Sequence, residues 1–466
     1  MRCMKFFWLC ILFAGSAWAG NNDVHIPPYQ RVVLANGVTV LLMERHDVPL
    51  IAFQATLRGG VVAEAPDKSG TANLLAQLLM KGAGSRNALQ FAEAVAQVGG
   101  SLDANAGMES IGVNGQFMAR DQGLMIELLA DVLQRPHLDQ AQFDDLRARQ
   151  IEFLRAAKDT NVGALTPMYA AAALFGAHPY GRPVSGSETS LAQLQYRDVE
   201  QFYHQQLGAD RLILAIAGDF NSKQLLAHVR KAFAGWGKAK TTLPLAAPVE
   251  ARKGPRVVLI DAPESVQTYF WIGNVGVSRT DAQRLPLDLV NTLFGGRFTS
   301  MLNTELRIKS GLTYGARAQQ RRLTLAGSWN MYSFTQSATT VQAIDLALQT
   351  YQSLRTTGLN EDGLNSGKNY MLGQYPTSYE TAAQWAATLA ELEFYGLPRA
   401  EVDDYADRLR GVTAEQARQV IDRVLPGPDD LLMVLIGKAA LLRDQIAKYG
   451  PVTELSLSAP TFTASP

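Results

Sequence analysis

The 466-residue chain reads as an α+β protein made of two homologous halves joined by a short linker. Three observations predict this. Segments of strand character precede segments of helix character within one block, the order expected of an antiparallel-rich sheet with helices on one face. An apolar strand, a glycine and an amphipathic helix occur twice, as RLILAIAGDFNSKQLLAHVRKAFAGWG from Arg211 and as DLLMVLIGKAALLRDQIAKYG from Asp430, with Gly218 and Gly437 219 residues apart. Arg31-Val32-Val33-Leu34 also returns as Arg256-Val257-Val258-Leu259, 225 residues on. Segment 238–255 is polar, contains prolines and lacks periodicity, so it is the expected join. The predicted units are a leader over 1–19, a first domain over 20–237, a linker over 238–255 and a second domain over 256–466.

In the first unit, the alternation over residues 31–57 predicts strands, with a hairpin at Asn36-Gly37. A helix is expected over 70–81, and another over 87–98 that stops at Gly99-Gly100. Residues 101–117 read as two strands turning at Ala106-Gly107. Amphipathic patterns over 122–133 and 139–158, on either side of the breaker Pro136, predict two more helices. In the second unit, residues 285–306 predict a helix, a break at Gly295-Gly296, and a new helix starting near Thr299 or Ser300. Gly311 should end that helix, leaving Arg307 in its last turn and Tyr314 on the strand that follows.

Composition narrows the function. With 47% hydrophobic residues the chain can build large cores, and 43 basic against 43 acidic residues argue against a nucleic-acid or anionic-membrane surface. Arg2 and Lys5, the apolar run 6–14 and Ala17-Trp18-Ala19 have the form of a secretory leader, and the run is too short to span a bilayer. Both cysteines, Cys3 and Cys10, lie inside that leader. An exported chain without cysteine must be held by its cores, and the periplasm is the expected compartment, with no membrane span in the mature chain.

Chemistry centres on the helix at 70–81. Its polar face carries Asn73, Ala76 and Gln77, while Leu74, Leu75, Leu78 and Leu79 form the apolar face. Gly70, Ala72, Leu74, Leu75, Lys81 and Gly82 resemble the frame around the inverted zinc motif, H-x-x-E-H, of the pitrilysin/insulinase family of zinc metallopeptidases. By that resemblance Asn73, Ala76 and Gln77 fall on His, Glu and His. Two imidazoles four residues apart aim at one metal from one helix face, and a carboxylate beside them deprotonates the metal-bound water. Side-chain amides are poor zinc ligands and Ala76 takes no proton. The family's third ligand, a glutamate on a later helix, falls by count on Phe153, with Glu152 beside it. The chain is therefore not expected to bind zinc or to hydrolyse peptides at this position.

A second stretch, Leu306-Arg307-Ile308-Lys309-Ser310-Gly311-Leu312-Thr313-Tyr314-Gly315, resembles the family's other signature, with Gly295, Phe298, Thr299, Leu302 and Asn303 matching before it. The resemblance implies that Arg307 and Tyr314 reach substrate and stabilise the transition state, because a cation and a phenol suit a carbonyl turning into an oxyanion. Taken alone, such a pair is more often structural. Loss of the first motif with retention of the second resembles the non-catalytic subunit of two-subunit members of the family, such as mitochondrial processing peptidase. The resemblance thus implies two α/β-roll domains closing like a clam on a chamber, an unfolded peptide as substrate, and a homologous H-x-x-E-H partner chain that carries the zinc. The competing expectation is a homodimeric peptide-binding or scaffold protein of the same fold, with no enzymatic role.

The histidines add little. His178, in His178-Pro179-Tyr180-Gly181-Arg182-Pro183, reads as a loop residue rather than a ligand. Glu200 and His204 are spaced for a surface ion pair, and His25, His46, His137 and His228 are isolated.

Overall fold

The computed structural model describes residues 23–463. The leader-like segment and both cysteines lie outside them. The first sheet contains β1 (Gln30–Val33), β2 (Thr39–Glu44), β3 (Leu50–Arg58), β4 (Ser101–Ala106), β5 (Ser110–Met118) and β6 (Leu212–Gly218), in the order β1-β2-β6-β3-β5-β4. The second contains β7 (Arg256–Asp261), β8 (Gln267–Gly276), β9 (Ala316–Arg322), β10 (Gly327–Gln336), β11 (Leu432–Gly437) and β12 (Val452–Ser456), in the order β9-β10-β8-β11-β7-β12. Reversing the second order superposes it on the first. The Asn36-Gly37 hairpin forms as its composition predicts, with Gly37 at φ 102° and the Asn36 amide donating to the carbonyls of Phe233 and Trp236.

Duplication extends to detail. The last residue of β2, Glu44, accepts the Ser222 N–H that opens the helix after β6, and the last residue of β7, Asp261, accepts the Ala439 N–H after β11. These pairings make β7 the counterpart of β2. The expected repeat of Arg31–Leu34 at Arg256–Leu259 is therefore corrected. β1 is an edge strand antiparallel to β2, whereas β7 is an inner strand parallel to both its neighbours, β11 and β12. The edge position that β1 fills in the first sheet is taken in the second by β12, from the end of the chain.

Every residue of β6 and β11 is buried, which requires cover on both sheet faces. One face of each sheet packs on helices of its own half. The other face is covered by a helix lent from the opposite half, a cover that the expectation of helices on one face did not include. The Ala382–Tyr395 helix lays Trp385, Ala386 and Leu389 on Leu41, Met43, Ile213 and Ala215 of the first sheet. The Thr166–Phe175 helix packs on β8 and β11 of the second. Segment 238–255 has no regular structure. It is nevertheless pinned along its length, by Lys240 N–H to Gln205 O, Ala239 N–H to Asp210 Oδ1 and His178 Nε2 to Ala247 O.

The two sheets also meet at their hairpin turns. Glu109, in the β4–β5 turn, accepts the Tyr180 hydroxyl at 2.5 Å and the Thr324 N–H of the β9–β10 turn at 3.1 Å.

Candidate functional site

The zinc-motif positions lie on the Thr71–Leu79 helix, which starts at Gly70 with φ 101°. There a Cβ would come within 3.1 Å of the Gly186 backbone, so glycine is required. Glu64 caps the helix by accepting the N–H groups of Ala72 at 2.7 Å and Gly70 at 3.4 Å. Burial pushes this carboxyl up to about 8, against the opposing pull of the two N–H groups and the Arg182 guanidinium. Arg182 also donates to the Glu64 carbonyl, so the His178–Pro183 loop buttresses the helix start. Nothing in the sequence pattern marked Glu64, because a capping carboxylate six residues ahead of a helix has no periodic signature.

Asn73 and Gln77 sit one turn apart, half-buried, and their amides make no hydrogen bond to any described residue. Ala76 between them is fully buried. Phe153 does not join them: on the Gln140–Thr160 helix it is 63% exposed, and Leu154, at 1%, takes the inward position of that turn. Glu152 also faces solvent and pairs with Arg155 at 2.7 Å. Leu154, and neither Phe153 nor Glu152, is therefore the residue of this turn that faces the interior. Two amides, an alanine and a leucine provide neither an anionic nor an imidazole donor, so these residues do not fit a zinc ion. Among the described residues no group of three His, Cys, Asp or Glu side chains is placed to hold a metal. The helix packs beside β4, the edge strand opposite β1 in the first sheet, which among the described residues is hydrogen-bonded only to β5.

Arg307 and Tyr314 come together in the second half. The chain there passes through the Arg284–Asn291 helix, a π turn at Thr292–Gly296, the short Met301–Asn303 helix and a second π turn at Thr304–Lys309 that carries Arg307. π turns arise where one extra residue is fitted into a helix, often at functional positions. Tyr314 lies in the connector before β9, not on the strand itself, because the connector is held short of it: Thr313 N–H donates to Leu306 O, and the Ser333 hydroxyl donates to Gly315 O. Asn303 ties both parts together, donating to Phe298 O and accepting the Ala316 N–H. The Arg307 guanidinium carbon sits 4.5 Å from the Tyr314 ring centroid and 4.9 Å from that of Phe298. All three line a pocket of about 450 Å³ built only from residues 295–370. Asn73, Ala76 and Gln77 have no part in it.

The other histidine expectations resolve locally. His178 accepts the Tyr180 N–H and donates to Ala247 O, which uses both ring nitrogens, and burial lowers its pKa. Glu200 accepts the Tyr196 hydroxyl and makes no pair with His204, correcting that expectation.

Two family models match successive parts of the chain. Residues 40–188 match the family model described as insulinase (peptidase family M16), and residues 193–371 match the model described as the peptidase M16 inactive domain. The chain belongs to the M16 family. A protein named an uncharacterized zinc protease in Streptomyces coelicolor is 24% identical over 402 residues, covering 85% of this chain and 87% of its own. A protein of Helicobacter pylori named a non-peptidase homolog is 22% identical over 362 residues, covering 78% and 83%. A solved M16 inactive domain from Pseudomonas fluorescens shares the fold at TM-score 0.82, with 20% identity over 88% of this chain and 98% of that one. A protease structure from H. pylori gives TM-score 0.81 and 18% identity over 89% and 100%. The two-sheet architecture is thus the M16 fold, and this chain is an M16 member.

Proposed function

We propose that the chain is the metal-free subunit of an exported two-chain zinc metalloendopeptidase, contributing Arg307 and Tyr314 to substrate held by a homologous H-x-x-E-H chain. One observation carries this reading. The motif helix is intact, capped and packed but has Asn73, Ala76 and Gln77 at its functional positions, while Arg307 and Tyr314 are held together at 4.5 Å at the wall of a pocket. The match of residues 193–371 to an inactive-domain model, and the non-peptidase name of one relative, support a non-catalytic member. The leader-like residues 1–19 support export to the periplasm, and zinc belongs to the partner. An extended peptide has a free edge to add to at β4, where main-chain pairing would align it.

The test is to measure zinc content and cleavage of an unfolded peptide by the purified chain, alone and mixed with an H-x-x-E-H chain encoded beside it. The expected result is neither zinc nor cleavage alone, and one zinc per heterodimer with cleavage on mixing. Zinc and cleavage by this chain alone would overturn the proposal. Stable homodimers that ignore the partner would favour the scaffold alternative.

A further inference from the structure

We infer that the pocket at Arg307 recognises a carboxylate side chain of an extended peptide, with Arg297 and Arg317 setting that preference. The inference rests on the reading that this site takes peptide, and adds the class: acidic peptides.

Three arginines line the pocket, Arg297, Arg307 and Arg317, and none of its thirteen lining residues is Asp or Glu. None of the three forms an ion pair with a described residue. The Arg307 guanidinium lies 4.9 Å from the Phe298 ring centroid and 4.5 Å from that of Tyr314. Contact with ring faces leaves the planar N–H fork of a guanidinium for a partner, and that fork matches a carboxylate in two parallel hydrogen bonds. Arg297 donates from Nη1 to Ser366 Oγ at 2.9 Å, but its Nε is buried without a partner. Arg317 rests 5.2 Å from the Tyr332 ring, exposed at the pocket mouth.

A second arginine-rich pocket shows what a merely structural arrangement looks like. There Arg279 pairs with Glu391, Arg322 with Asp288, and Arg284 and Arg408 with Glu401, so every arginine has a carboxylate partner within the protein. At Arg307 none of the three has one. The pocket's rims favour a peptide over a free anion: Phe298 is 60%, Tyr314 76% and Tyr370 42% exposed, which offers apolar contact to residues flanking the acid. A nucleic acid would need basic groups spread along a track, whereas this chain has equal acidic and basic counts and concentrates the unpaired cations in one pocket.

The experiment is fluorescence anisotropy with the isolated chain and labelled, C-terminally amidated peptides that differ only in Glu against Gln at one central position. The Glu peptide is expected to bind about tenfold more tightly, the scale of one charge-assisted bidentate contact. Arg297→Gln and Arg317→Gln should each shrink the ratio of Glu-peptide to Gln-peptide affinity, and Arg317→Gln, on an exposed side chain, leaves the fold intact as checked by thermal melting. Equal binding of the Glu and Gln peptides overturns the inference, as does a preference seen only with a free C-terminus, or full competition by a single-stranded oligonucleotide. No partner chain or cleavage enters this assay, so failure of the two-chain proposal and failure of acidic selection give separate results.

Discussion

Glu64 is a carboxyl buried at the start of the motif helix, and it sets a pH dependence with a definite sign. Burial raises its pKa from 4.5 to about 8, so between those values the folded chain holds a proton that the unfolded chain has released. Stability attributable to this group therefore falls as pH rises from 4.5 to about 8 and is level above. Glu64→Gln keeps an oxygen for the Ala72 N–H and removes the titration, so its urea midpoint should lack that component of the slope; identical slopes in both proteins would refute it. In the proposed two-chain enzyme, Arg307 and Tyr314 contact the substrate being turned over. Arg307→Ala and Tyr314→Phe should each lower turnover by about 100-fold, the scale of a lost oxyanion donor, with assembly unchanged by gel filtration. Unchanged turnover in both would remove their role.

At the scale of elements, the π turn at Thr292–Gly296 is pressed onto the edge of the second sheet. A Cβ at Gly295 would lie 2.2 Å from Ala318 N, and Asn291 donates to Ala318 O. Gly295→Ala should cost about 1–3 kcal/mol of stability, the range for overpacking. Gly315→Ala, with nothing within 4 Å of its Cβ, is the matched control; equal urea midpoints for the two variants would contradict the close approach. This contact also closes the β9 edge, which Asn303 caps as well, and leaves β4 as its open counterpart in the first sheet. Elements such as these were partly legible. The strand–glycine–helix units around Gly218 and Gly437 announced the duplication because their burial imposes an unbroken apolar run. The four-letter match of Arg31–Leu34 to Arg256–Leu259 misled, since so short a string carries no information on whether a strand is at an edge or inside. Tyr314 missed its strand for a related reason: periodicity cannot register side-chain ties such as Ser333 to Gly315.

Across the whole molecule the halves are interlocked. Leu389 of the Ala382–Tyr395 helix is buried against the first sheet, so Leu389→Ala should cost about 2–5 kcal/mol although it lies in the second half. Calorimetry of the intact chain should give one transition that Leu389→Ala lowers as a unit; two transitions, with only one displaced, would mean the halves are independent. This exchange of helices was not legible, because amphipathicity states that a helix has an apolar face and not which sheet receives it. The fully apolar β6 and β11 were the available signal: a strand without a polar side needs two covers, and the first half supplies only one.

The lent helix imposes an order on synthesis. β6 is complete at Gly218, yet the residues that shield its outer face begin at Ala382. A chain emerging from the ribosome from its N-terminus thus carries Leu41, Met43, Ile213 and Ala215 uncovered until most of the second half has followed. An early-terminated product would keep that apolar face uncovered.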